Sequence, residues 1–173
     1  MTPPRSLVIG LDVSPRRIGW AAISYETGET LNAGCQIVAA DDDLRARREA
    51  FRELARTADG VGDVGAVILE DAYAGPSRAG TIRHALSIGN VEAFAAARWP
   101  DVLVDRVAPA TWRSVLGLEQ RGKADPLEYA RQAYQADTGR SLGECVTVKA
   151  HEQDAADALC IAKAGHVIVW GND

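Results

Sequence analysis

Two aspartates, Asp154 and Asp157, stand three residues apart in the run HEQDAADALCIA, His151 to Ala162. On a helix, positions i and i+3 share one face, with Cβ atoms about 5–6 Å apart. Like charges that close repel, and without a cation one of the two holds its proton to a higher pH. A divalent ion removes that penalty. Carboxylate oxygens with no cluster of His and Cys around them suit Mg²⁺ or Mn²⁺ better than Zn²⁺. A solvated helix face would also carry such a pair. The flanking AADALCIA argues against it, because this segment is apolar most of the way round and belongs against a core.

Two further carboxylates end apolar runs: Asp12 follows LVIGL, and Glu70 follows AVIL. An isolated ionised carboxylate is costly to bury, and in open α/β sheets ligands gather beyond the carboxyl ends of the strands. If the two strands are neighbours, Asp12 and Glu70 lie side by side at one sheet edge. Taken alone, either is equally an exposed strand end or a helix cap. Asp71 competes with Glu70 for the inward position. His151, one turn before Asp154, either points into the same site or faces water at a helix start.

The elements that must position these groups follow from the hydrophobic pattern. SLVIGLDV (6–13) and RIGWAAISY (17–25) are β-rich runs joined by a short turn, and LNAGCQIV (31–38) follows the turn ETGET. Three such strands make an antiparallel meander. DDDLRARREAFRELARTA (41–58) predicts a helix, with acidic capping residues first and Leu44, Phe51, Leu54, Ala55 and Ala58 on its apolar stripe. VGAVILED (64–71) reads as a buried parallel strand, and a second helix is predicted near 79–98. DVLVDRV (101–107) is a fifth strand, with helices near 109–117, 124–138 and 150–166. The order β-β-β-α-β-α-β-α predicts an α/β fold: a mixed five-stranded sheet, an antiparallel meander plus parallel strands, flanked by helices. No repeat, low-complexity segment or linker interrupts it, so residues 1–173 read as a single domain.

Composition narrows the class. With 47% hydrophobic and 25% charged residues among 173, the chain matches a folded globular domain rather than a disordered one. Such a length buries roughly two-thirds of the surface of the unfolded chain. No run approaches the ~18 apolar residues of a membrane span, and MTPPRSLVIGLDV lacks a basic segment followed by a long apolar one. The expectation is a cytoplasmic chain with no membrane association. Cys35, Cys145 and Cys160 are odd in number without CxxC spacing, which predicts reduced, partly buried thiols. A net charge of −5 argues against a protein that coats nucleic acid, but not against a local basic strip.

With the four carboxylates in this order, the chain resembles the RuvC family of Holliday-junction resolvases, in the RNase H-like superfamily, over roughly Leu7 to Ala164. IGLDVSPRRIGWAAI is similar to the family's first motif, a strand ending in Asp, a turn, then Gly-aromatic in the next strand. VILEDAY resembles the strand ending in the catalytic glutamate, ALSIGNVEA the following helix, and DAADALCIA the final motif with acidic positions three apart. The resemblance implies an RNase H-like nuclease domain with Asp12, Glu70, Asp154 and Asp157 as a catalytic, metal-binding tetrad for two Mg²⁺ (or Mn²⁺) ions. Two ions ~4 Å apart both activate an in-line water and stabilise the leaving 3′ oxygen. It further implies a homodimer whose two sites face opposed strands of a four-way DNA junction, leaving 5′-phosphate and 3′-hydroxyl ends. Nothing in the sequence speaks to a helicase partner.

Basic residues fall in two stretches, Arg78, Arg83 and His84, then Arg106, Arg113, Arg121 and Lys123. Such a strip supplies salt-dependent affinity for phosphates. EQRGKAD resembles the family's Gly-rich loop, with Lys123 as the basic residue near the scissile phosphate. Where bacterial members often carry Lys in the preceding helix, PATWRSVLG offers Trp112 with Arg113 adjacent as a substitute. Tyr73 matches a position for an aromatic at the junction centre, where stacking is worth about 1–3 kcal/mol per base. These departures and the turn DVSPRR suggest a phage or mobile-element member, working in a host cytoplasm on flaps and forks as well as junctions. The first motif also resembles that of sugar-kinase and actin-like ATPases, but these need a second domain, for which 173 residues leave no room. A closer rival is an RNase H-like ribonuclease acting on RNA or an RNA–DNA hybrid. A non-catalytic junction-binding module would need the tetrad broken.

Overall fold

The computed structural model describes residues 6–40, 43–72, 77–118 and 125–171. Strands β1 (Ser6–Val13), β2 (Arg17–Ser24), β3 (Thr30–Ile37), β4 (Asp63–Glu70) and β5 (Leu103–Val107) form one sheet in the order β3-β2-β1-β4-β5. β1, β2 and β3 pair antiparallel, while β4 joins β1, and β5 joins β4, in parallel. The mixed sheet and its flanking helices match the α/β expectation.

Both faces of the sheet are covered, which is why SLVIGLDV and AVIL run apolar without alternating. On one face, α1 (Leu44–Asp59) and α2 (Arg78–Arg98) pack Phe51, Leu54, Ile88 and Val91 against Leu7, Ile9, Leu11, Val67 and Leu69. On the other, α3 (Pro109–Val115), α4 (Asp125–Thr138) and α5 (Glu152–Trp170) pack Trp112, Tyr134 and Leu159 against Val8, Ile23, Ala66 and Ile68. α5 is pressed between the sheet and its two neighbouring helices. Its residues from Ala158 to Ala162 are fully buried, as an all-round apolar helix should be.

Capping follows local chemistry. The Asp43 carboxylate accepts from the Arg45 and Ala46 amides at the start of α1, and Ser77 Oγ accepts from Gly80 N at the start of α2. Leu44, expected on the apolar stripe of α1, is 54% exposed. It is the first helical residue, and the buried stripe of α1 begins only at Arg47. α5 continues to Trp170, past the expected end near 166. Among the described residues no helix is long and apolar enough to cross a membrane. The three cysteines are free, with Cys35 and Cys145 half-buried and Cys160 buried.

Two glycines set the distance between α5 and the sheet. A Cβ on Gly10 would stand 2.2 Å from the Ala158 carbonyl oxygen, and one on Gly19 would stand 2.2 Å from that of Asp154. Helix backbone therefore rests directly on strand backbone. At its N-terminal end α5 is tied to α4 by a forked pair, Arg131 Nε and Nη2 donating to the two Glu152 oxygens at 2.8 and 2.9 Å. The Glu152 carboxylate is accordingly held below the usual range, chiefly by these hydrogen bonds.

Candidate active site

Strand pairing brings the carboxylates together. Leu11 pairs with Leu69 across the parallel β1–β4 ladder, so the next residues, Asp12 and Glu70, end their strands side by side. Side chains alternate along a strand. Leu11 and Leu69 face α1 and α2, so Asp12 and Glu70 face α5. This decides between Glu70 and Asp71. Asp71 points away, its Oδ1 capping the Ala72 amide and lying 3.5 Å from Arg106 Nη1. Across the antiparallel ladder Asp12 pairs with Gly19, the glycine on which the Asp154 main chain rests. Asp157 lies one turn further along α5.

The four acids feel one another. Burial pushes the Asp12 carboxyl well above its ordinary range, and the charges of Glu70, Asp157 and Asp154 push it further. Burial is also the main cause of the rise at Glu70 and Asp154, and it lifts Asp157 to about 6, with Glu70 and Asp154 adding to it. Three of the four have a side-chain partner of their own, two by hydrogen bond and one by ion pair. Trp112 Nε1 donates to Glu70 Oε1 at 2.7 Å, Gln153 Nε2 to Asp157 Oδ1 at 3.0 Å, and Arg17 Nε lies 2.8 Å from Asp154 Oδ2. Among the described residues, no three His, Cys, Asp or Glu side chains converge on one point as they stand. The donor set nonetheless suits a hard divalent cation: four carboxylates from three elements, whose mutual repulsion a cation would relieve.

Neutral and basic groups ring the acids. His151 immediately precedes α5, and its charge opposes the rise at Asp154. His84 of α2 donates from Nε2 to the Val13 carbonyl at 2.8 Å, next to Asp12, and its charge opposes the rise at Glu70. The Arg113 guanidinium lies 4.8 Å from the centre of the Trp112 ring and opposes the rise at both Glu70 and Asp157. Cys35 Sγ is 3.8 Å from Asp154 Oδ2, and its thiol is pushed up to about 12, mainly by burial.

No protein-family model matches the chain, and no curated protein sequence does. Solved structures do match. A Thermus thermophilus RuvC structure aligns with TM-score 0.67 at 16% identity, covering 95% of this chain and 96% of that one. T. thermophilus RuvC in complex with a Holliday junction substrate aligns with TM-score 0.63 at 13% identity, covering 96% of each chain. The fold is that of RuvC. The yeast mitochondrial Holliday junction resolvase Ydc2 aligns with TM-score 0.57 at 14% identity, over 94% of this chain and 80% of that one. On the RuvC fold, Asp12, Glu70, Asp154 and Asp157 gather where β1 and β4 end beneath α5.

The remaining expected residues are distributed unevenly on this RuvC fold. Arg78 and Arg83 lie on the exposed side of α2, in its first two turns. Arg113 is beside the acids, through Trp112. Arg106 is engaged by Glu92 and Asp71. Tyr73, Arg121 and Lys123 lie outside the described residues. Sequence reasoning passed over Arg17, Gln153 and Cys35, and took Trp112 as a replaced lysine rather than as the donor to Glu70. Arg17 and Asp154 are 137 positions apart in the chain, Trp112 and Glu70 42. No local spacing marks such pairs.

Proposed function

We propose that this protein is a metal-dependent, structure-selective endonuclease that resolves four-way DNA junctions by paired phosphodiester hydrolysis. The observation that carries the reading is the meeting of four carboxylates, two from strand ends and two from α5, at one edge of a RuvC fold. Asp12, central to the cluster, with Glu70, Asp154 and Asp157, would hold two Mg²⁺ or Mn²⁺ ions. When bound, such ions supply an acidified water and charge stabilisation for the leaving oxygen. Hydrolysis adds one water oxygen to phosphorus and breaks the bond to O3′, which leaves with a proton. The products are a 5′-phosphate and a 3′-hydroxyl.

The chain's own residues set the stage. Burial makes negative charge on these carboxylates costly, a cost that a bound cation would offset. The Trp112 indole fixes one oxygen of Glu70 and leaves the other to ligate. Arg113, Arg78 and Arg83 supply positive charge for the phosphate backbone; Lys123, Arg121 and Tyr73, outside the described residues, are assigned to DNA contact from the sequence alone. Two cuts require two sites, hence a homodimer. The exposed side of α2 suits it: Ile82 and Leu86, one turn apart, are 50% and 61% exposed, and a Cβ on nearby Gly89 would meet nothing within 4 Å. An antiparallel α2–α2 contact would cover them.

The test is cleavage of a synthetic mobile four-way junction in Mg²⁺ or Mn²⁺, beside matched duplex, flap, fork and RNA–DNA hybrid controls. Symmetric nicks in opposed strands with ligatable ends are expected. Cleavage confined to the hybrid would overturn the reading in favour of a ribonuclease. Light scattering of the wild type and of Leu86→Asp checks the dimer, the variant being expected as a monomer.

A further inference from the structure

Arg17 places a cation of the chain's own at the acidic cluster. Arg17 opens β2, and its Nε lies 2.8 Å from Asp154 Oδ2, with 38% of the Arg17 side chain and 14% of that of Asp154 exposed. The same guanidinium acts on Asp12 and on Cys35, opposing the effect of burial at each. The donors to Glu70 and Asp157 are neutral, an indole and an amide. Arg17 therefore differs from them in kind. It neutralises the carboxylate that it touches, and it is the more exposed of the two.

A guanidinium presents five N–H donors in a planar fork that fits phosphate oxygens as well as carboxylate. The Nε that touches Asp154 is buried, yet 38% of the Arg17 side chain is exposed, so a phosphate can reach Arg17 from solvent. We propose that Arg17 is a latch on Asp154 that a phosphodiester releases: it holds the carboxylate in the free protein and exchanges it for phosphate oxygens when DNA binds. Asp154 is thereby opened to a divalent cation. The inference rests on the nuclease reading of the site. Its consequence is thermodynamic, since DNA tightens metal binding and metal tightens DNA binding by the same factor. A residue that merely steadied Asp154 would do the opposite, and its loss would weaken metal binding.

Mn²⁺ binding to the full chain, followed by the electron-spin-resonance signal of the free ion, separates these cases. It is measured without DNA and with a four-way junction made cleavage-resistant by phosphorothioate linkages at its centre. Without DNA, Arg17→Gln is expected to bind Mn²⁺ roughly five- to tenfold more tightly than wild type, the gain from removing one charge a few Å away near water's dielectric. The tightening caused by the junction should be several-fold smaller in Arg17→Gln than in wild type, with Arg17→Lys between the two. Urea denaturation in EDTA verifies that the variants fold. If the wild type binds Mn²⁺ but Arg17→Gln binds it no more tightly, or the junction effect is undiminished, the latch is overturned and the nuclease reading stands. If neither protein binds Mn²⁺, with or without the junction, both fall.

Discussion

Replacing Asp157 by Asn should make the metal-free protein more stable while removing its proposed activity. Asp157 ionises at about 6 in the fold against 3.8 for a free side chain, chiefly because it is buried. Each pKa unit corresponds to ~1.36 kcal/mol, so the ionised carboxylate costs the fold about 3 kcal/mol at pH 8. An acid with a raised folded pKa binds more protons in the folded state than in the unfolded one between those two values. Stability from this group is thus fully present below pH 3.8 and is lost as pH rises through about 6. Asn keeps the shape and an oxygen for the Gln153 amide, and it cannot ionise. In EDTA, the stability difference between Asp157→Asn and wild type should be near zero at pH 4 and level off above pH 7. For a chain this long, 1 kcal/mol moves Tm by roughly 2–4 °C, so a rise of about 6–12 °C is expected at pH 8. Thermal melts of both proteins across pH 4–8, with urea titrations at each end, measure it. Saturating Mg²⁺ should narrow the gap by stabilising wild type alone. A variant that melts at or below wild type at pH 8, or a difference independent of pH, would refute the reasoning.

Three further outcomes follow from the same geometry. Asp12→Asn should abolish junction cleavage in Mg²⁺ while gel shifts show junction binding retained; cutting at the wild-type rate would remove Asp12 from the site. Gly19→Ala puts a methyl into the Asp154 main chain; a loss of about 2–4 kcal/mol in urea denaturation is expected from overpacking and shifted backbone, together with loss of cleavage. Trp112→Phe preserves most of the buried ring volume but deletes the donor to Glu70, whose pKa that bond holds down. The acidic limb of the pH–rate profile should therefore move to higher pH, and an unmoved limb would show that the indole does not tune Glu70.

Much of this architecture was legible because burial leaves a strong imprint on sequence. SLVIGLDV and AVILE are apolar on both faces because helices cover both faces, and in each run an acid stands out by interrupting that pattern where α5 still covers the strand. The all-round apolar AADALCIA marked α5 as a buried helix, so its two aspartates had to face something other than water. The choice between Glu70 and Asp71 was not legible, since strand alternation fixes their relative direction but not which face belongs to α5. Leu44 misled because periodicity is blind to where along a helix the buried stripe begins, here at Arg47. Trp112 and Arg17 act through partners far away in the chain, and only the closed fold brings each to its carboxylate.

The bare contact between α5 and the strands at Gly10 and Gly19 has a bearing on how this chain can vary. Where side chains cushion a helix, each exchange of one apolar residue for another moves the helix by a fraction of an ångström. Here peptide planes touch, and peptide planes are the same in every sequence. The spacing of Asp154 and Asp157 from Asp12 is therefore insulated from drift elsewhere in the interior. A chain sharing only 13–16% of its residues with the T. thermophilus structures keeps their fold across almost its whole length. Such a hard stop would let the rest of the core diverge while the acids hold their stations.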